Sequence, residues 1–251
     1  MTLLTKFIST ILLLSSSFSF AGEVRIAVAG NFFKPLKVLA AQFESQTGDT
    51  VQISVAATGK LYAQISNGAP FEIFLAADQK RPTKLVEQQL AVKESQFTYA
   101  KGKLVFWSND PALIDPQGAR LKSPDLLHLA IANPKAAPYG EQAVRVLKNL
   151  GIYEQLENKL VLGQNIGQTF QYVSNGNVQQ GIIALSQVTN DGKITSGSAW
   201  IIPGTLYQPI QQDAVLLNKG MDNPAARAFL AYLKSPAALQ IIRSFGYEVD
   251  A

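Results

Sequence analysis

The sequence predicts an α/β protein made of two similar lobes, each a mostly parallel sheet flanked by helices. Three observations carry this reading. Short apolar runs alternate with amphipathic stretches, a faint repeat recurs at an offset of 108 positions (59 to 167), and no Pro- or Gly-rich linker separates independent domains. In the repeat, Gly59, Tyr62, Ile65, Ser66, Asn67 and Gly68 return as Gly167, Phe170, Val173, Ser174, Asn175 and Gly176. A Ser-Asn-Gly thus ends each of two comparable short helices.

The elements follow in order. Glu23–Ala29 (EVRIAVA) reads as a strand. A helix follows around residues 33–45, where Leu36, Leu39, Ala40 and Phe43 recur at helical spacing and Pro35 falls in the first turn. Residues 51–55 form a second strand, 60–67 a short helix stopped by Gly68, and 72–75 a third strand. Leu104–Ser108, Leu129–Ala132, 159–162 and 181–185 are further strands, with helices over 141–150 and 169–174 between them. The C-terminal part reads as a strand at 214–217 and helices at 224–234 and 237–245.

Composition narrows the function. Lys6 precedes an apolar run at 7–14, then serines and the ending Ser19-Phe20-Ala21, the pattern of a secretory signal peptide over residues 1–21. The run is shorter than the roughly 18 apolar residues of a membrane span. Without that leader the net charge falls from +4 to +3, since one lysine and no acid is removed. The charge is dispersed with no basic run, so nucleic acid is a poor partner, although a mildly basic surface helps draw small anions. There is no cysteine, hence no disulfide and no thiolate metal site.

Four turns draw the functional reading: Ala29-Gly30-Asn31-Phe32, Ala57-Thr58-Gly59-Lys60, Pro138-Tyr139-Gly140-Glu141 and Asn165-Ile166-Gly167-Gln168. Each lies after a predicted strand and before a predicted helix, and the offset of 108 carries Asn31 onto Tyr139 and Thr58 onto Ile166. A helix start offers unpaired N–H groups and about half a positive charge, a ready anion site. Asn31, Thr58 and Tyr139 would add neutral donors, and glycine lets the backbone approach closely. Asn31 and Thr58, each taken alone, equally suit helix caps; Tyr139 and Ile166 are poor caps.

In these motifs the chain resembles the periplasmic molybdate-binding proteins of ABC-type transporters. The resemblance runs through Ala29-Gly30-Asn31-Phe32, Thr58-Gly59 with Tyr62-Ala63-Gln64-Ile65, and Asn67-Gly68-Ala69-Pro70. It continues through Ala76-Ala77-Asp78-Gln79-Lys80, Asn133-Pro134 with Ala137-Pro138-Tyr139-Gly140, and Lys234-Ser235-Pro236 with Phe245-Gly246-Tyr247. It implies a two-lobed type II periplasmic binding protein holding molybdate or tungstate in its interlobe cleft. It implies a monomer that delivers the anion to a membrane permease and ATPase, with no catalysis, no cofactor and no bound metal ion. The family's ligand positions fall on Asn31, Thr58, Tyr139 and Ile166, with Gly30 adding an amide. Some members place a tyrosine in a later turn where this chain has Gly181-Ile182-Ile183-Ala184, so Tyr139 looks like the replacement phenol. Lobe 1 is expected over 22–101 and 212–251, lobe 2 over 102–211, with hinge crossings at 101–103 and 211–213.

Other features read as structural. His128 is the single histidine, without companions for a zinc site. Asp78 suits structural hydrogen bonding, Trp107 and Trp200 suit packing, and Tyr62 is expected to face the core. No GxxxxGK[ST] phosphate loop occurs, so ATP hydrolysis belongs to a partner. Sulfate or phosphate remain alternative ligands. A hydrolase on the same fold, with Thr58 or Ser54 as nucleophile, is the rival class, but the four turns hold only Glu141 as a titratable acid.

Overall fold

The computed structural model describes residues 22–249, so the leader expected over 1–21 lies outside the described residues. The chain opens with β1 (Glu23–Ala29), α1 (Phe33–Thr47), β2 (Thr50–Ala56), α2 (Thr58–Ser66), β3 (Ile73–Leu75), α3 (Lys80–Glu87) and β4 (Phe97–Gly102). It then enters a second sheet with β5 (Leu104–Ser108), β6 (Leu129–Ala132), α4 (Pro138–Asn149), α5 (Tyr153–Leu156), β7 (Leu160–Gly163), α6 (Ile166–Ser174) and β8 (Gly181–Ala184). A small hairpin, β9 (Thr189–Asn190) and β10 (Lys193–Ile194), precedes β11 (Ser198–Ile201). The chain returns through β12 (Ile210–Leu216) to α7 (Pro224–Tyr232) and α8 (Pro236–Ser244).

The two five-stranded sheets have the orders β2-β1-β3-β12-β4 and β7-β6-β8-β5-β11. In the first, β1 pairs parallel with β2 and β3, and β12 runs antiparallel to both β3 and β4. In the second, β6 pairs parallel with β7 and β8, and β5 runs antiparallel to both β8 and β11. Four of five strands in each sheet therefore point one way. The reversed strand is in each case the one that has just crossed from the other sheet. The repeat is visible in space: α2 shifted by 108 coincides with α6, and Gly68 and Gly176, at φ 83° and 76°, end the two helices in the left-handed conformation that glycine adopts freely.

Helices cover both faces of each sheet, which is why β1 is apolar almost throughout rather than alternating. Val24, Ile26 and Val28 pack with Leu36, Leu39 and Phe43 of α1 and Phe229 of α7 on one face. Ala27 and Phe74 meet Leu61 and Ile65 of α2 on the other. In the second sheet Leu129 and Ile131 face Val146 and Leu147 of α4, while Ala130 and Ile183 face Val173 of α6. Trp107 is buried in that second layer, 5.4 Å from the Phe170 ring.

Departures from the sequence reading are local. Helix α3 is absent from the expected elements because in KRPTKLVE only Pro82 and Leu85 are buried. Strand β4 was likewise not expected: FTYAKG ends in Lys-Gly, and it is held by β12 and by a bridge between Lys101 and Glu248. Helices α2, α4 and α6 each begin two or three residues before their expected starts. That shift matters for the site.

Candidate functional site

Because the helices start early, the four turns are first helical turns. Gly30 and Asn31 open a 3-10 turn that runs into α1, Thr58 opens α2, Pro138 and Tyr139 open α4, and Ile166 opens α6. None of Asn31, Thr58, Tyr139 or Ile166 is the N-cap of its helix. The caps are Ala29 for the 3-10 turn, Ala57, Ala137 and Asn165, while α1 itself has Phe32 at its N-cap. Alanine carries no acceptor, and three of the four ends have no side-chain cap bond. Ala in place of a good cap costs about 1 kcal/mol, so three such ends meeting at one place is a feature that stability alone disfavours. Pro138 removes one further N–H, making Tyr139's amide the first that α4 can offer.

These ends converge. Gly30, Asn31, Thr58, Tyr139 and Ile166 line one cavity between the sheets, together with Ala29, Ala57, Ala77, Ala137 and Pro138. It has about 10 Å³ of room for the centre of a water-sized sphere, far below the roughly 300–1,000 Å³ of an organic-ligand pocket. No charged side chain lines it. The lobes meet around it: Gly59 N–H donates to the Ala136 carbonyl at 2.9 Å, and a Cβ on Gly30 would sit 3.3 Å from the Gly167 nitrogen.

The side chains divide the work unequally. The Thr58 hydroxyl accepts from the Ala77 N–H at 3.2 Å, which leaves its own proton to donate. Ile166 contributes backbone; its carbonyl is held by Gln187 Nε2 at 2.9 Å, and Asn165 caps only the Gln168 N–H. Asn31 is 1% exposed, with Nδ2 2.6 Å from Gln212 Oε1 and 2.9 Å from the Tyr247 hydroxyl, while Oδ1 is buried without a partner. The Asn31 carbonyl accepts from Ser186 Oγ at 2.9 Å.

Tyr139 lines the cavity, yet its hydroxyl is engaged elsewhere. It hydrogen-bonds Tyr247 and lies 3.4 Å from Gln212 Nε2. It also packs where a Cβ on Gly102 would come within 1.9 Å, so only glycine fits that strand end. Burial pushes Tyr247 up to about 12 and Tyr99 and Tyr139 well above the usual 10.0, so all three stay protonated. The phenol thus works as a strut between α4 and the strands β4 and β12, and the Tyr139 amide lies in the first turn of α4 beside the cavity.

Charged groups lie outside the cavity. Lys60 is exposed in a groove at the rim with Lys80, Arg81, Lys84 and Lys135. Lys34 donates to the Gln187 carbonyl and lies over the Phe170 ring. Asp78 accepts from the Arg81 N–H at 2.9 Å and pairs with its guanidinium, a structural role. His128 is exposed, and among the described residues no three His, Cys, Asp or Glu group as a metal site. Gln212, Tyr247, Ser186 and the alanine caps escape sequence reasoning. Ala29 and Ala57 stand at the head of two of the four turns and Ala137 just before a third, where a missing cap was the available signal.

A small cavity between two lobes, lined by no charged side chain, is the arrangement of a solute-binding protein. The chain belongs to the family of bacterial extracellular solute-binding proteins, whose model matches residues 24–248. It is 55% identical over 227 residues to the molybdate-binding protein ModA of Azotobacter vinelandii, covering 90% of each chain. It is 53% identical over 230 residues to ModA of Rhodobacter capsulatus, covering 92% of this chain and 90% of that one. Among solved structures, an Azotobacter vinelandii periplasmic molybdate-binding protein aligns with TM-score 0.88 and 40% identity, over 91% of this chain and 100% of that one. A sulfate-binding protein of Mycobacterium tuberculosis, 12% identical with TM-score 0.72 over 90% of this chain and 86% of that one, shares the fold alone.

Proposed function

We propose that this protein captures molybdate, and tungstate as well, in the periplasm and delivers it to the permease and ATPase of an ABC importer. The single observation that carries the reading is the cavity itself: four helix starts, three of them uncapped, around a small space that no charge lines. The anion's oxygens take the place of the missing caps. Donors are the amides at Gly30, Asn31, Thr58, Tyr139 and Ile166 and the side chains of Thr58 and Asn31. Each bond to a charged partner contributes roughly 1.5–3 kcal/mol, largely offset by stripping the anion of water. Both relatives named for molybdate cover nine-tenths of this chain. No Asp, Glu or His lines the cavity to act as a base, which favours binding over catalysis. The lobes, residues 22–101 with 212–251 and 102–211, would close as a monomer about crossings near 101–103 and 211–213.

Calorimetric titration with molybdate, tungstate, sulfate and phosphate tests this. Molybdate and tungstate should bind tightly at one site, and sulfate and phosphate weakly. Hydrogen phosphate carries a proton that a donor-only cage leaves unpaired, at a cost of about 1–3 kcal/mol. Phosphate or sulfate binding as tightly as molybdate would refute the assignment.

A further inference from the structure

Asn31 lines the cavity, but in the arrangement described above its donor points away, to Gln212 and Tyr247, and its buried carbonyl oxygen has no partner. An acceptor left in the cavity would repel an unprotonated oxyanion. The two ends of a carboxamide are nearly isosteric, so half-turns of Asn31 and Gln212 together keep the 2.6 Å contact with the roles exchanged. Two features favour the turned arrangement. First, it removes the orphan: Gln212 Nε2 donates to Asn31 Oδ1, the Tyr247 hydroxyl turns its proton to the same oxygen and leaves the Asn31 carbonyl to Ser186 Oγ, and Asn31 Nδ2 faces the cavity. Second, it resolves a conflict at Tyr99, whose single hydroxyl proton has two acceptors, the Ala76 carbonyl at 3.1 Å and Gln212 Oε1 at 3.4 Å. Once that proton goes to Ala76, Tyr99 can only accept, and the group facing it must be Gln212 Nε2. Gln212 Oε1 then faces the Tyr139 hydroxyl at 3.4 Å, whose one proton is shared between it and Tyr247.

Resting on the reading of the cavity as an oxyanion site, we propose that Gln212 is the positioning residue that commits Asn31 to donate into the cavity. Tyr99 and the Ala76 carbonyl in turn fix Gln212. Gln212 is fully buried on β12 at a register shift of the strand, and it does not line the cavity. It sets specificity through Asn31. With the amide committed as a donor, an oxyanion bearing no proton is favoured; with the amide free to turn, Asn31 Oδ1 can accept the proton of hydrogen phosphate.

The test is a titration of wild type, Gln212→Met and Tyr99→Phe with molybdate and with inorganic phosphate, alongside melting of each ligand-free protein. Methionine keeps the length of glutamine and removes both polar ends. The molybdate-to-phosphate affinity ratio should fall at least tenfold in Gln212→Met and in the same direction in Tyr99→Phe. A common loss for both anions, with the ratio unchanged, would mean mere loosening and overturn the proposal. Should the variants not fold, 15N side-chain amide spectra of wild type decide. Saturation with molybdate should shift the Gln212 resonance together with that of Asn31, and a Gln212 resonance that stays put while Asn31 moves overturns it. Wild type that binds neither anion would instead remove the site reading, and the relay with it.

Discussion

The vacant helix caps can be filled on purpose. Ala137 is the N-cap of α4, with φ −118° and ψ 121°, the extended backbone that a capping serine adopts. Its helix begins with Pro138, so a serine hydroxyl there would accept from the Tyr139 N–H, the amide assigned to the anion, or from the Gly140 N–H beside it. Ala137→Ser therefore has two effects of opposite sign. The ligand-free protein gains a cap worth about 1 kcal/mol, which raises the melting temperature by roughly 2–4 °C for a chain of this size. Molybdate loses one charge-assisted bond, about 1.5–3 kcal/mol, so affinity falls roughly 10- to 150-fold. Differential scanning fluorimetry without ligand and calorimetric titration with molybdate read the two effects. Ala137→Gly is the control: it supplies no acceptor and should hold affinity within a few-fold. A serine variant with raised stability and unchanged molybdate affinity would refute the claim that the end of α4 is kept vacant for the ligand. Equal losses in Ser and Gly would assign the effect to packing instead.

Further outcomes follow from the same geometry. Tyr139→Phe strips Gln212 and Tyr247 of a buried partner, so ligand-free stability should fall by about 1–3 kcal/mol while molybdate affinity changes less than tenfold. Lost affinity at unchanged melting temperature would restore the phenol as a ligand. Lys60→Gln should change equilibrium affinity less than tenfold, because Lys60 sits in the rim groove and not on the cavity. Stopped-flow capture of molybdate should slow with added salt, as the cations at that rim are screened. Tyr247 is raised by burial from 10.0 to about 12, so its contribution is fully present below the unfolded value near 10 and is lost as pH rises toward 12. Melting temperature should hold from pH 7 to 9 and fall between 10 and 12, with up to about 3 kcal/mol of the loss missing in Tyr247→Phe.

What the sequence by itself determined is everything with a local signature. Buried strands are short apolar runs, and β1, β5 and β6 were read at their observed bounds because flanking polar residues stop them. The two matching helices were legible because Ser-Asn-Gly needs only its own backbone to end them, and the four strand-helix turns hold eight of the ten residues that line the cavity, all but Ala77 and Ala137. What only the tertiary structure decided is which atom of each residue does the work. Helices α2, α4 and α6 start two or three residues earlier than their apolar spacing suggested, since first-turn N–H groups have no partner within the helix. That displacement makes Thr58 a first-turn group of α2, while Asn31 lies in a 3-10 turn ahead of α1, and alanines precede both. In the structure the Tyr139 phenol and the Asn31 amide are hydrogen-bonded to Gln212 and Tyr247. Those partners stand 181 and 216 positions from Asn31, and no spacing rule reaches so far. They meet because β12 returns the chain to the first sheet antiparallel and the C-terminal Tyr247 folds back beside it, placing a buried hydrogen-bond network next to an uncharged cavity.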